Sequence, residues 1–344
     1  MKTSDDGTNW NDVYLGNQIL SGFTFINSSI GYAVGDSGTI IKTNNGGSSW
    51  VLLPRITNHA FLDVCFPTID TGYIVGKDFD NQCGIILKTT DGGSNWTFLS
   101  TSSTPLFGSV FFINSQVGWV VGSAIIKTTD GGNSWIPYGT NYSYLWDVDF
   151  ANNNIGFIVG ENGLILRTTD AGENWSVLPS GVANALMAVE SVDSNIVYAC
   201  GRFGIILSTE DAGNTWTPQW SGTYKDLCTI NFSGPNTGFA AGYYGTILKT
   251  DNGGGFPVDV NYRPSVESCI NVCPNPSTDK ITIEISEKEL SGHIEIIDVR
   301  GNVVINKEFR GGRIHCNISP LKTGIYVLKA VSENQVQFGK FIKE

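Results

Sequence analysis

The sequence predicts an all-β protein, a β-propeller followed by an immunoglobulin-like β-sandwich. Three observations carry this prediction. A Trp-ended turn of the form "KTTDGGSNW" recurs along the chain, the segments between turns share one strand pattern, and both features stop near residue 258. Glycine is abundant (41 residues) and charged residues are scarce (15%), a composition suited to many short strands joined by tight turns.

The turns are "KTSDDGTNW" (2–10), "KTNNGGSSW" (42–50), "KTTDGGSNW" (88–96), "KTTDGGNSW" (127–135), "RTTDAGENW" (167–175), "STEDAGNTW" (208–216) and "KTDNGGGFP" (249–257). Their fourth positions are Asp5, Asn45, Asp91, Asp130, Asp170, Asp211 and Asn252, at spacings of 40, 46, 39, 40, 41 and 41 residues. This period lies in the range of propeller repeats. The long step holds the insertion "KDFDNQC" (77–83), and the short one lacks a turn at "VGSAIIK".

Between turns, "GFTFINSSIGYAVGDSGTIIKT" matches "VDFANNNIGFIVGENGLILRT" and "INFSGPNTGFAAGYYGTILKT". Each reads as an inner strand, a polar turn, a Gly-aromatic-x-Val-Gly strand, a tight turn and a third strand; the Trp then begins a fourth. Four such strands make a propeller blade, which must stack on its neighbours to bury both faces. Six complete units start near residues 19, 59, 106, 145, 186 and 227. The lone turn and strand ahead of them either close a six-bladed ring or belong to the first blade of a seven-bladed parent. The seventh turn favours the second expectation, as does the start "MKTSDDGTNW", which has no apolar signal-peptide core.

In each turn the Asp or Asn can accept hydrogen bonds from its own backbone, and the glycines permit positive φ. Trp10, Trp50, Trp96, Trp135, Trp175 and Trp216 can wedge against the sheets, and the last copy, beside the end of the array, has no Trp. A residue repeated once per blade reads as a structural clasp. The turns resemble the Asp box, or bacterial neuraminidase repeat, and the longer "GYxVGxxGxIxKTxDGGxxW" form is similar to the photosystem II stability/assembly factor family of propellers. The resemblance spans residues 1–258 and implies the fold; relatives of this repeat occur in many secreted bacterial proteins. In the photosystem assembly relatives a basic propeller patch is used for protein contact, and this acidic chain lacks one.

A linker over 259–270 leads to a second domain over 271–344. Its alternating strands "NVCPNPSTDKITIEI", "HIEIIDVRGNVVINKEF", "NISPLKTGIYVLKAV" and "QVQFGKFIKE" read as a small sandwich. Pro274-Asn275-Pro276, the "DVRGNV" run from Asp298 to Val303, Gly324-Ile325-Tyr326-Val327-Leu328 and the basic end resemble the type A C-terminal sorting domain of the type IX (Por) secretion system of Bacteroidetes. Cys273 stands where that family commonly has an aromatic residue. The resemblance implies the type IX machinery as a partner, export through the outer membrane, and an extracellular or outer-membrane surface location.

Charge is unevenly divided. Residues 1–262 hold 10 Lys and Arg against 22 Asp and Glu, and residues 263–344 hold 11 against 10. An acidic propeller repels phosphate backbones, so nucleic acid is not expected as a partner. No apolar run approaches the length of a membrane span. The seven cysteines (65, 83, 200, 228, 269, 273, 316) form no zinc pattern. Cys200 with Cys228, and Cys65 with Cys83, could pair in an oxidising compartment, or all could be buried thiols.

Sialidases share the Asp box but clamp a carboxylate with three arginines. Residues 1–262 offer only Arg55, Arg167 and Arg202, with Arg167 at the strand position held elsewhere by Lys, and no "RIP" motif occurs. A secreted polysaccharide hydrolase is the alternative reading. The xyloglucanase family builds two propellers of this type, and here Asp63 ("FLDVCF") and Asp147 ("LWDVDF") share one repeat position near the start of an innermost strand, from which they could face the channel. The same carboxylates could simply hydrate that channel.

Binding of a protein or glycan is the favoured expectation, on the rim opposite the Trp-ended turns. Tyr138, Tyr142, Tyr144, Trp146, Arg202, Phe203, Trp220, Tyr224, Tyr243 and Tyr244 cluster in the segments that open there, with a cover for the blade tops as the competing role. Asp78 and Asp80 in the insertion could hold calcium, although the Gly and distant Glu of an EF-hand loop are missing. No cofactor is expected.

Overall fold

The computed structural model describes residues 2–344 except 6, 14–15, 79–80, 82, 100–105, 140–141, 255–269, 285–290, 299–301, 312 and 333–335. The chain divides into two compact units, Met1–Gly255 and Phe256–Glu344.

The first unit contains six antiparallel sheets in chain order, here called blades 1 to 6: residues 20–52, 60–99, 107–139, 145–178, 186–219 and 227–250. Blades 1 to 5 have four strands and blade 6 has three among the described residues. Each sheet is a simple meander, so first strands lie innermost and side by side around the axis. The unit is a β-propeller. Second strands such as Gly31–Gly35 and Gly118–Gly122 are buried throughout because neighbouring blades cover both faces. Cores form between blades: Tyr32, Val34 and Ile40 of blade 1 pack with Phe61, Val64 and Ile74 of blade 2, and the pattern continues around the disc.

The Trp-ended turns build a repeated network. In blade 3, Thr128 Oγ1 donates to Asp130 Oδ1 (2.9 Å) and accepts from the Gly132 N–H (2.8 Å). The Ser134 N–H donates to Asp130 Oδ1 and its hydroxyl to Oδ2. These bonds hold the Asp130 carboxyl down at about 2, and equivalent sets hold Asp91 and Asp170 there too. Asp5 and Asp211 are lowered for the same reason, and Asn45 uses its amide in that role.

Each turn is also clasped by the preceding blade. The phenols of Tyr32, Tyr73 and Tyr198 donate to the carbonyls of Gly92, Gly131 and Gly253, one blade on. Lys42 and Lys88 bond those same Gly92 and Gly131 carbonyls, and Lys127 and Arg167 reach the carbonyls of Ala171 and Ala212. The Trp side chains pack edge-on against phenylalanines of their own blade, as Trp96 on Phe66 and Trp135 on Phe112. Blade 5 differs: its inner strand ends without Phe, and Trp216 meets Phe157 of blade 4.

The first turn supplies the same kind of clasp to blade 1. Lys2 and Asn11 bridge, Lys2 Nζ donates to the Gly46 carbonyl of blade 1 (2.7 Å), and Phe239 of blade 6 meets Trp10 edge-on at 6.2 Å. Residues 2–11 therefore stand between blade 6 and blade 1, as a further blade position in the ring.

The second unit is an immunoglobulin-like sandwich. One sheet pairs Asn271–Cys273, Lys280–Glu284 and Arg313–Asn317; the other orders Val303–Arg310, Ser291–Ile297, Gly324–Ser332 and Val336–Lys343. Its core is aliphatic with Phe309, Tyr326 and Phe341. The six described cysteines, at 65, 83, 200, 228, 273 and 316, are all free thiols, and Cys269 lies outside the described residues. Cys200 does not pair with Cys228, nor Cys65 with Cys83; Cys200 is instead packed in the apolar contact between blades 5 and 6.

Candidate functional site

Asp63 and Asp147 do come together, through a residue between them. The Ser109 hydroxyl lies 2.9 Å from Asp63 Oδ2 and 2.8 Å from Asp147 Oδ1. Backbone N–H groups take the other positions: Val64 and Val110 donate to Asp63, Val148 and Val189 to Asp147. Each carboxyl thus ties its own inner strand to the next blade's. Burial pushes Asp63 up to about 6, and burial with the neighbouring Asp63 charge pushes Asp147 up to about 8. Beside them Asp149 accepts the Ser191 N–H (2.7 Å) and is raised by burial. A split carboxyl pair is what an acid and a nucleophile need. Here, however, Ser109 fills the space between the two groups, where a scissile bond would have to lie. The bonds join the inner strands of blades 2, 3, 4 and 5.

The opposite rim carries a second cluster. Tyr144 donates to the Phe107 carbonyl (2.8 Å) and meets Trp146 edge-on at 4.7 Å. Lys77 Nζ lies over both rings, 4.5 Å from the Tyr144 centroid and 5.8 Å from that of Trp146, and burial lowers its pKa. Trp146 Nε1 donates to Glu161 Oε1 (3.0 Å), and Arg202 Nη2 approaches the same oxygen at 3.5 Å. These residues come from blades 2, 4 and 5 and from the connection into blade 4. They form a continuous strip of rings and charges.

The strip runs on into blade 6 through the tight turns between second and third strands. Four of these turns place a non-glycine residue at left-handed φ: Ser37 (56°), Asn162 (59°), Phe203 (58°) and Tyr244 (60°). Polar residues tolerate that conformation more readily than bulky ones. Yet Phe203 is 61% and Tyr244 88% exposed, so neither ring is bought by burial. The Phe203 N–H donates to Asp226 Oδ1 (2.9 Å), and Lys225 Nζ sits 4.7 Å above the Tyr244 ring. Tyr243 packs edge-on to Tyr244, and the exposed Tyr224 and half-buried Trp220 lie in the preceding connection.

Two of the aromatic residues lie elsewhere. Tyr138 sits on the outer strand of blade 3, where Lys127 lies 5.3 Å over its ring and its hydroxyl donates to Glu173 within the Trp-ended turn of blade 4. Tyr142 packs against the core shared by blades 3 and 4. In the insertion, Asp78 accepts two hydrogen bonds from Asn81 and faces His59 at 3.5 Å, while Asp80 lies outside the described residues. Among the described residues, no group of three His, Cys, Asp or Glu gathers to hold a metal.

Lys77, Ser109, Glu161, Lys225 and Asp226 were not singled out from the sequence. Glu161 had a legible signal, since "ENG" and "RFG" occupy the same turn in neighbouring blades and put opposite charges side by side.

The comparisons with known proteins agree with this architecture. A family model described as photosynthesis system II assembly factor YCF48 matches residues 1–108, 50–142, 99–182 and 140–219, well over half of the chain. The chain belongs to the YCF48 family. A second model, the secretion system C-terminal sorting domain, matches residues 271–344. This YCF48-family chain therefore carries a type IX sorting tail and is exported, to the cell surface or beyond. No helix among its described residues is long and apolar enough to cross a membrane. Similar solved structures include YCF48 bound to D1 peptide (21% identity, 68% of this chain and 93% of that one, TM-score 0.44). Another is YCF48 from Cyanidioschyzon merolae (20%, 70% and 98%, 0.46). A third is the Niastella koreensis GH74 enzyme (12%, 93% and 65%, 0.57), a likeness of fold. No curated protein sequence matches the chain significantly.

Proposed function

We propose that the propeller is an extracellular recognition module, binding a glycan or protein on the rim of blades 4 to 6, and that the sorting tail delivers it there. The observation that carries this reading is the pair Phe203 and Tyr244, bulky rings held at left-handed φ with most of their surface in water. Burial does not reward that choice, whereas Ser37 and Asn162 show what the same turn takes elsewhere. Trp146, Arg202 and Lys225 beside them add the ring and cation chemistry common at binding hot spots. A glycan array and a pull-down with the full chain test the reading. Binding should be retained by Ser37→Ala and lost with Phe203→Asn or Tyr244→Asn; binding indifferent to both Asn variants overturns it.

The competing hydrolase reading rests on the raised pair Asp63 and Asp147 and requires the Ser109 hydroxyl to leave the space between them when a substrate enters. Polysaccharide turnover abolished by Asp147→Asn in a folded protein would establish it against the binding-only reading.

A further inference from the structure

A groove on blade 4 adjoins the ion pair of Glu161 and Arg202. Two backbone segments wall it: the tight turn Glu161–Gly163 and the connection from blade 4 into blade 5 at residues 179–183. The walls touch directly. A Cβ on Gly163, whose φ is +69°, would lie 2.0 Å from the Val182 carbonyl oxygen, so only glycine lets them meet. Within the connection, the Ser180 hydroxyl donates to that same carbonyl (3.2 Å) and accepts the Val182 N–H (3.3 Å). The groove has a volume of about 540 Å³, inside the roughly 300–1,000 Å³ range of ligand sites.

Its lining divides by chemistry. Val177, Leu178 and Pro179 give an aliphatic floor, with Val177 66% exposed, and Ser143, Glu161 and Asn162 give the polar groups. Among the described residues, neither the Ser143 hydroxyl nor the Asn162 amide has a hydrogen bond within the protein. The Asn95 and Asn174 amides of the Trp-ended turns, by contrast, are tied to Asp91 and Asp170. Glu161 uses only one oxygen within the protein. Its Oε1 accepts from Trp146 Nε1 (3.0 Å) and faces Arg202 Nη2 (3.5 Å), which leaves Oε2 open.

These groups select by charge. A uronate would be repelled by the Glu161 carboxylate, and a basic side chain would compete with Arg202 for it. A sugar hydroxyl does neither, because it donates to Oε2 without bringing a charge. The Asn162 amide and the Ser143 hydroxyl can each donate and accept, so adjacent hydroxyls find partners of either kind. The aliphatic floor suits the C–H face of a pyranose ring. We propose that this groove seats a neutral pyranose of an extracellular glycan, its hydroxyls held by Glu161 Oε2, the Asn162 amide and Ser143. The inference rests on the rim reading above and narrows it, since Arg202 precedes Phe203 in the chain and joins the groove to that exposed ring.

The test uses the full chain and titration calorimetry with neutral hexasaccharides of glucose, mannose and galactose, a hexagalacturonate and hexalysine. Asn162→Gly keeps the left-handed turn while removing the amide, and Glu161→Gln keeps the side-chain size while removing the charge. Binding of a neutral hexasaccharide should weaken about tenfold or more in each variant, with thermal midpoints nearly unchanged. A neutral saccharide bound equally well by either variant overturns the inference. Binding of the hexagalacturonate or hexalysine alone overturns it too, as does no binding of any neutral saccharide at millimolar concentration. Phe203→Asn separates the two readings. Saccharide binding lost in the groove variants but kept in Phe203→Asn would sink the rim reading alone. A different ligand lost in Phe203→Asn but kept in the groove variants would sink this inference alone.

Discussion

The Ser109 hydroxyl stands 2.8 Å from Oδ1 of Asp147 while also lying 2.9 Å from Asp63. A hydroxyl has one proton to donate, so both contacts are hydrogen bonds only when one carboxyl is itself protonated. Asp147, held up to about 8, is that group, and a proton sits on it through neutral pH.

The pH dependence of stability follows from this proton. Asp63 and Asp147 hold protons when folded that they release near pH 4 when unfolded. Their contribution is complete below pH 4 and is lost as pH rises through about 6 and then about 8. The turn carboxylates Asp91, Asp130 and Asp170 run the other way, their contribution being lost as pH falls from about 4 toward 2. Thermal midpoints across pH should therefore peak in mild acid and decline by pH 9. Asp147→Asn, which cannot ionise, should flatten the alkaline decline.

Removing the bridge itself isolates its structural worth. Ser109→Ala leaves two buried carboxyls without their shared partner and should cost about 1–3 kcal/mol. Denaturant melts at pH 5 and pH 8 measure it, with the larger loss at pH 8, where the charges repel with nothing between them.

The Trp-ended turns predict a graded series. Thr128 is buried and serves both Asp130 and the Gly132 N–H, so Thr128→Val should destabilise by about 1–3 kcal/mol. Tyr73→Phe removes one of two bonds to the Gly131 carbonyl, which Lys88 still satisfies, and should cost about 1 kcal/mol. Equilibrium unfolding of the two variants checks the order.

Stability and recognition should separate at the rim. Phe203→Asn and Tyr244→Asn put a residue suited to left-handed φ into the same turns. Their thermal midpoints should hold or rise, by the equivalent of about 1 kcal/mol at most, while ligand capture falls. A parallel loss of stability and binding would mean that the rings support the fold instead.

Export should depend on the second unit. Removal of residues 271–344, the segment matching the sorting domain, should leave the propeller behind in the cell envelope. Fractionation with an antibody to the propeller measures this, and the intact chain should be found at the surface or in the medium.

Much of the propeller was legible because its unit is local. The Gly-aromatic-x-Val-Gly strand and the Thr-x-Asp turn each declare themselves within ten residues, and recurrence does the rest. Contacts between blades are not local, and those are what reading along the chain misses. Nothing near Ser109 announces that it lies between Asp63 and Asp147, and Tyr138 reads like its neighbours until Lys127 and Glu173 draw it to the other face. Of the two cysteine readings, free thiols hold for the six described residues, because a disulfide needs a specific geometry that reading along the chain does not supply. Phe203 was visible as an aromatic residue, but its backbone conformation was not.

The contact of Phe239 with Trp10 also has a bearing on how the protein reaches its destination. It joins the turn that ends at Trp10 to blade 6, so this contact cannot form until all the blades between them have been made. Such distant pairings form slowly because the intervening chain must first be ordered. Until then the turn at residues 2–11 has only one of its two neighbours. In a protein exported by its tail, this seam is the last part of the disc to set and the place where an unfinished ring would come apart.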